Sequence, residues 1–516
     1  MSGHLERTWP DDPSVVQWLH SARADLTREE RAAVDEDSVF VQTDGPFTEY
    51  RRTVTRNDVD RTWREAVDYR LEIPWFAWMF ARLVRRHLAR RTPGPEPLRQ
   101  PGWAPPDRLS SRQVHVLGLL AAASLSSAFV NTLFTQTVAF ASDDFGVGDW
   151  GRGVAGTVVR LGILFGLPAA FLADRIGRRR VMVVLAWTAP IIASFGALAP
   201  NFTILVGTQT ISRPLGLALD LLIAVIAAEE MPRGSRAYAV AILAMANGLG
   251  AGVAVIALPL ADLGTSGWRL VYALALVWLV VALDLTRRLP ETRRFERHRA
   301  AAAVEPLVAG GRRDRQRGRR RLAIQMAVAC SGNLMLSPAS FFQNSFLKEE
   351  RGFSAGMVSL FTLVTAAPAV IGLIAGGRVA DRRGRRRMAV GCVPVGAVFI
   401  ALSFHFQATW MWTTAILGAI VAAAAYPSLA VYRTELFPTA HRGRAAYLIL
   451  ASALVGGSIS LLLTGALLDS GWSYGSVMTA LVIGPILVSV IVLTTYPETA
   501  HRELEEINPE DRPLTQ

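Results

Sequence analysis

The stretch Gly377-Arg378-Val379-Ala380-Asp381-Arg382-Arg383-Gly384-Arg385-Arg386-Arg387 lies between two apolar segments, each long enough to cross a bilayer. A near copy, Ala170-Phe171-Leu172-Ala173-Asp174-Arg175-Ile176-Gly177-Arg178-Arg179-Arg180, precedes it by 207 positions, counted from Asp174 to Asp381. Two further features recur at almost the same spacing. Glu229-x-x-Pro232-x-x-x-Arg236 returns 206 positions on as Glu435-x-x-Pro438-x-x-x-Arg442, and Pro290-Glu291-Thr292 returns 207 on as Pro497-Glu498-Thr499. Three ordered matches at one offset mark an internal duplication. The chain is two homologous halves behind an N-terminal extension.

Of the 516 residues, 51% are hydrophobic, which favours a membrane protein over a soluble enzyme. The formal charge of +12 would suit a polyanion, but the arginines cluster at the ends of apolar runs, so no nucleic-acid partner is expected. Lys348 is the only lysine, a bias that leaves arginine enrichment with little functional weight. Cys330 and Cys392 both fall in apolar runs and read as packing residues, with no disulfide or metal site implied. No apolar run follows Met1, so no cleaved signal peptide is expected.

Residues 1–112 are polar, acidic first and then basic. Helical patterns are predicted at Ser14–Arg23, Thr27–Asp35 and Asp58–Leu71, with Thr27 and Asn57 placed as caps for the last two. Between residues 74 and 91, Phe76, Met79, Phe80, Leu83, Val84 and Leu88 recur at helical spacing, opposite Arg82, Arg85, Arg86 and Arg90. That is a basic amphipathic helix, suited to an anionic headgroup layer or to packing on the extension's own core. Pro93, Pro95, Pro97, Pro101, Pro105 and Pro106 mark a stiff linker.

The remainder divides into twelve segments of bilayer-spanning length. They fall near 114–140, 151–173, 180–199, 202–228, 237–260 and 267–287, then 321–345, 355–380, 388–406, 410–436, 445–468 and 473–496. The expected organisation is a first half at 113–287, a linker at 288–320, a second half at 321–497 and a tail at 498–516. One set of loops carries Arg175–Arg180, Arg233, Arg236, the Arg287–Arg321 run, Arg382–Arg387, Arg442 and Arg444; the other has little beyond Arg152, Arg269, Lys348 and Arg351. The positive-inside rule makes the first set cytoplasmic, with both termini. The fold class predicted is an all-α integral membrane protein with a cytoplasmic extension.

These residues resemble the major facilitator superfamily over nearly all of 113–500. Its loop motif, Gly-x-x-x-Asp-Arg-x-Gly-Arg-Arg/Lys, is complete at Gly377–Arg386; in the first copy Ala170 replaces the opening glycine. The Glu-x-x-Pro-x-x-x-Arg repeats and Pro497-Glu498-Thr499 with Leu504-Glu505-Glu506-Ile507 look like the sugar-porter and metabolite:proton-symporter branch. The resemblance implies gating roles for Asp174, Arg175, Gly177 and Arg178, for Asp381, Arg382, Gly384 and Arg385, and for Glu229, Arg236, Glu435 and Arg442. Gly177 and Gly384 permit tight reversals, and the aspartates can accept from helix N-termini or arginines. Two departures bear on the solute. Val328-Ala329-Cys330 stands before Ser331-Gly332-Asn333, where sugar porters carry paired glutamines. Asn131 stands about where many proton-coupled relatives carry an aspartate, and an amide cannot ionise.

Ionisable residues at membrane depth tend to mark a transport path. Arg160 falls in the second segment; Arg213 and Asp220 fall in the fourth, on one helical face with Gln209 and Gly216. Arg213 matches the arginine of the family's fourth-helix motif. The second half offers the uncharged Gln325, Asn333, Gln343, Asn344, Tyr426 and Tyr432. Arg160 stands 14 positions before Asp174, and Arg213 stands 16 before Glu229, which puts both roughly 21–24 Å from the basic face. The candidate solute and coupling set is Arg160, Arg213, Asp220, Asn131, Asn333 and Tyr426.

The function expected is secondary active transport, by a monomer in the cell membrane, of a small polar metabolite that is an organic anion, with protons as the coupling ion. A sugar transporter or facilitator of the same fold, or a non-transporting solute sensor, is the alternative. No nucleotide-binding loop or hydrolytic constellation is present, and His405 and His441 stand isolated. No enzyme activity, cofactor or metal is expected.

Overall fold

The computed structural model describes residues 2–34, 38–90, 107–162, 176–232, 235–291, 312–435 and 442–498, with short pieces at 93, 101, 103–105 and 172–173. The extension departs from the helices predicted for it. Its strands are β1 Ser2–Pro10, β2 Arg28–Val34, β3 Ser38–Asp44, β4 Phe47–Asn57 and β5 Thr62–Leu71. They form one sheet in the order β1-β5-β4-β3-β2, antiparallel throughout. Of the three short helices expected, only the first forms, as α1, Pro13–Leu19, with Asp12 accepting from the Ser14 N–H. The stretches Thr27–Asp35 and Asp58–Leu71 fall on β2 and β5 instead.

The physical reason is buried charge. Along β5, Glu65, Val67, Tyr69 and Leu71 all point inward, the period of two that a strand requires. Glu65 tolerates that position because Arg52 lies 3.4 Å away, and the same guanidinium meets Glu29 of β2 at 2.7 Å. Neither expected cap is used. Thr27 Oγ1 donates to Gln42 Oε1, and Asn57 Oδ1 accepts from the Val59 N–H in the β4–β5 turn.

Helix α2, Ala77–Ala89, is the amphipathic helix predicted over 74–91. Val84 and Leu88 pack with Leu26, Phe47 and Leu71 in the sheet's core, while Trp78, Met79 and Leu83 remain exposed. Asp25, fully buried, fastens α2 to the sheet by bonding both Arg23 and His87 at 2.8 Å. Burial opposes the charge on Asp25, yet His87 and Arg23 together hold its carboxyl well below the usual carboxylate range.

The first half comprises α3 Ser111–Asp144, α4 Asp149–Leu161, α5 Arg178–Ser194, α6 Phe202–Glu230, α7 Arg236–Ile256 and α8 Trp268–Arg288. The second comprises α9 Arg312–Glu349, α10 Ala355–Ala366, α11 Ala369–Arg383, α12 Arg385–His405, α13 Ala408–Glu435, α14 Arg442–Asp469 and α15 Tyr474–Thr495. Pro368 divides α10 from α11. Among the described residues eleven helices are long and apolar enough to cross a membrane. The twelfth span, expected at 151–173, is described over α4. Residues 292–311 of the expected linker, the tail beyond Glu498 and most of the proline-rich stretch lie outside the described residues.

Helix α3 starts with a capping box, in which Ser110 and Gln113 satisfy each other's backbone N–H groups. Backbones approach closely where side chains are small, as membrane helix packing favours. A Cβ on Gly250 would lie 2.2 Å from Leu125 O, and one on Gly376 would lie 2.2 Å from Ala424 O. The extension docks on this bundle. Pro74 packs on Gly118 of α3, Trp75 donates to Asp284 of α8 at 3.1 Å, and the Asp107 N–H donates to Ser235 at 2.8 Å.

Candidate functional site

Three features of the site follow from the duplicated sequence. Gly177 and Gly384 both adopt left-handed backbone, with φ of 108° and 107°, and each begins the helix that follows its loop. A side chain there would be strained. The repeated Pro-Glu-Thr motif closes on the same loops. Glu291 accepts from the Arg179 N–H at 3.2 Å, and Glu498 accepts from the Arg385 and Arg386 N–H groups at 2.9 and 3.2 Å. Each glutamate thus satisfies the orphan donors of a helix N-terminus. Arg178 pairs with Glu229 at 2.9 Å, joining the loop motif to the Glu-x-x-Pro-x-x-x-Arg motif of the same half. Asp174 and Arg175 lie outside the described residues; Asp381, Arg382, Arg236, Glu435 and Arg442 sit on described helices, but their side chains are outside the described set.

At mid-membrane the candidate residues divide into two groups. Arg160 on α4 crosses to the second half, where its Nη1 donates to Ser337 Oγ on α9 at 2.7 Å. Ser337 donates in turn to Asn333 Oδ1 at 3.3 Å, and Asn333 Nδ2 donates to Ala329 O. Arg160 and Arg213 stand close enough for their like charges to interact. Counting from the helix ends at Asp149, Phe202 and Glu349, Arg160, Arg213 and Ser337 lie 11, 11 and 12 residues inward. All three are therefore about 16–18 Å from the face opposite the basic loops. No hydrogen bond or ion pair engages Arg213 among the described residues, and the Nε of Arg160 is buried without an acceptor.

Asp220 belongs to the second group. Its carboxylate accepts from Asn131 Nδ2 of α3 at 3.2 Å and from Asn247 Nδ2 of α7 at 3.4 Å. Asn131 also donates to Ser127, whose hydroxyl bonds Gly216 O at 2.7 Å. Gly216 is small because Asn131 Oδ1 lies 2.6 Å from where its Cβ would be. That Oδ1 has no donor of its own. Asn247 escaped the sequence reading, since a lone amide in an apolar run carries no pattern.

The structure leaves other candidates aside. Gln209, on the expected face, is buried and donates to Ala193 O of α5, a packing role. Tyr426 is exposed and joins neither group; Pro427 beside it stays inside a continuous α13. Gln343 bonds Thr362, Asn344 bonds Gln136 across the halves, and Tyr432 bonds Pro497 O.

At the face opposite the basic loops a closure joins the halves. Arg152 of α4 bonds Ser142 at 2.7 Å, Asp143 at 2.8 Å and Asp149 at 3.1 Å, and pairs across the interface with Glu349 of α9. Lys348 reaches back to Asp143, and Tyr474 of α15 donates to Glu349 at 2.7 Å and Asp149 at 3.3 Å. Beneath this lid Phe134, Phe341 and Phe342 pack in series, the first pair tilted and the second edge to face, with centroids 6.1 and 5.3 Å apart. Asp262 caps α10 from the other half, accepting from the Ala355 and Gly356 N–H groups at 2.8 Å each. Helices α4 and α14 touch through backbone, since a Cβ on Gly153 would stand 2.6 Å from Leu461 O. The sequence reading passed over this lid because its charges, Asp143, Asp149, Arg152, Lys348 and Glu349, are spread over three helices of the two halves.

Two duplicated halves meeting around polar groups at mid-membrane define a membrane transporter. The profile of the Major Facilitator Superfamily matches residues 116–343 and 322–516, and the chain belongs to that superfamily. Solved structures with the same fold include the inward-open xylose transporter XylE from E. coli, with a TM-score of 0.60, 16% identity, 77% of this chain and 99% of that chain covered. The nucleoside transporter NupG (D323A mutant) gives 0.60 and 13%, covering 73% and 99%. A bacterial homolog of the human lysosomal transporter Spinster, inward-facing and unoccupied, gives 0.54 and 17%, covering 74% and 95%. None of the curated proteins compared with the chain matches it.

Proposed function

We propose that this chain carries a small organic anion across the cell membrane by alternating access, as a proton-coupled secondary active transporter. One observation carries the choice of solute. Among the described residues Arg160 and Arg213 lie at one depth, near enough for their charges to interact, with no acidic partner, and Asp220, seven residues further along α6, is held by amides instead. Two uncompensated guanidiniums suit a carboxylate or phosphate, which can bind them through forked hydrogen bonds. A neutral solute would leave that charge unanswered in a medium where it is costly.

Asp220 is the proton carrier in this reading. Neither Asn131 nor Asn247 titrates, so proton exchange in that cluster falls to the carboxyl. A protonated Asp220 has a ready acceptor in Asn131 Oδ1, once the amide turns over, so both protonation states can be satisfied. The basic loops are cytoplasmic by their charge. The hydrogen bonds seen between the halves among the described residues lie away from those loops. The conformation is accordingly read as inward-facing.

A sugar is the second reading. The neutral chain Ser337–Asn333 beside Arg160 offers hydroxyl partners, and several similar structures are of proteins named as xylose transporters. A thermal-shift panel separates the two. Small carboxylates and phosphate esters should stabilise the purified protein and lose that effect in Arg213→Lys, whereas stabilisation by neutral sugars alone would establish the second reading.

A further inference from the structure

The extension does not sit flush on the bundle. Between them lies an apolar cavity of about 130 Å³, close in size to the ~150 Å³ engineered cavity that takes up benzene. Its roof is Phe76, Phe80 and Trp103 of the extension; its floor is Leu117 of α3 with Ile242 and Leu249 of α7. Floor residues on α7 run from Tyr238 to Leu249, eleven residues or about 16 Å along the helix. Half of a ~30 Å hydrocarbon core is about 15 Å, so the floor spans one leaflet. The floor is open to lipid as well, because Met245 and Leu249 are exposed on the bundle's outer surface.

The polar end carries charge of one sign. Arg108 lines the cavity, and its guanidinium bonds only backbone carbonyls, those of Ala24 and Asp25. No carboxylate pairs with Arg108 among the described residues. Arg82, Arg85 and Arg86 stand exposed on α2, likewise without an ion pair there. An apolar slot that follows α7 for one leaflet, with the cation Arg108 in its lining, matches one amphiphile. We propose that this cavity takes in part of an acyl chain of an anionic phospholipid from the leaflet on the side of the basic loops, with the headgroup drawn to Arg108. The site is separate from the solute groups, and its occupancy follows from membrane embedding whatever solute is carried.

The test uses the full chain, delipidated in detergent and titrated in native mass spectrometry. The probes are phosphatidylglycerol, phosphatidylcholine and oleate. One phosphatidylglycerol should bind in preference to phosphatidylcholine, and Ala104→Trp, which fills the cavity from its roof, should weaken it by about tenfold, the loss expected when roughly two methylenes are displaced. Arg108→Gln should reduce the preference for phosphatidylglycerol while leaving phosphatidylcholine binding unchanged. If Ala104→Trp lowers the melting temperature, Met245→Trp fills the cavity from the opposite wall and carries the same expectation. Undiminished phosphatidylglycerol binding in a folded, cavity-filled variant would overturn the proposal. So would equal binding of the two phospholipids, or oleate binding that excludes phosphatidylglycerol.

Discussion

Replacing Glu349 by Gln should open the face opposite the basic loops more often. The substitution keeps the side chain's shape and its acceptor for Tyr474, but removes the charge that Arg152 meets across the halves. Arg152 is only 5% exposed and retains Asp143 and Asp149, so it is not left wholly uncompensated. A hydrogen bond to a charged group contributes about 1.5–3 kcal/mol. Because the Glu349 side chain is 33% exposed, solvent screening reduces this to about 1–1.5 kcal/mol. The contact exists only while the halves are closed at this face, so its loss should shift the equilibrium by about 5- to 15-fold. The assay places one cysteine at Ser337, beneath the lid, with Cys330 and Cys392 changed to serine, and measures labelling by an impermeant thiol reagent from that face. The rate should rise by the same factor. Glu350→Gln, which touches only Arg351 of its own half, should change nothing. An unchanged or slower rate in Glu349→Gln would refute the lid as an energetic contact between halves.

Gly153→Ala should also disfavour closure, since the new Cβ would stand 2.6 Å from a backbone oxygen of α14 that cannot move aside cheaply; turnover should fall by about tenfold, measured as solute exchange, with the protein still folded. Asp25→Asn should destabilise the extension by about 3 kcal/mol, because the buried Arg23 loses its counter-charge; faster hydrogen exchange in α2 would register this. The native Asp25 carboxyl has a folded pKa below its unfolded value, so its contribution is present at neutral pH, begins to fall below about pH 4 and is lost as pH drops further. Acid should therefore release α2 in the native protein, while Asp25→Asn shows a weaker pH dependence in that range. Cysteine at Lys348 should react with an impermeant reagent from outside the cell, and cysteine at Ser2 only after permeabilisation; the reverse pattern would invert the topology.

The membrane part was legible because its signals are local and repeated. Apolar length gives the spans, and three motifs at one offset give the duplication. Glycine at positions 177 and 384 could be read as a turn, and the structure adds that Glu291 and Glu498 complete those turns from the far end of each half. The extension was misread for a definable reason. Its strands bury Glu29, Arg52 and Glu65, and charges at inward positions erase the alternation by which strands are recognised. The depth match of Arg160 and Arg213 was visible by counting residues, whereas the amide clamp on Asp220 needs Asn131 and Asn247, from two other helices, to be brought together. Tyr426 illustrates the converse, a polar group beside a proline that the fold leaves at the surface.

The most direct test is solute-coupled proton flux in proteoliposomes holding the purified chain. Small carboxylates and phosphate esters are compared with neutral sugars, with and without an imposed pH gradient. The account predicts uptake of an anion that the gradient accelerates. It also predicts that Arg213→Lys abolishes that uptake, and that Asp220→Asn leaves solute exchange but removes the response to pH. Uptake of neutral sugars without any anion, equal in wild type and both variants, would contradict it.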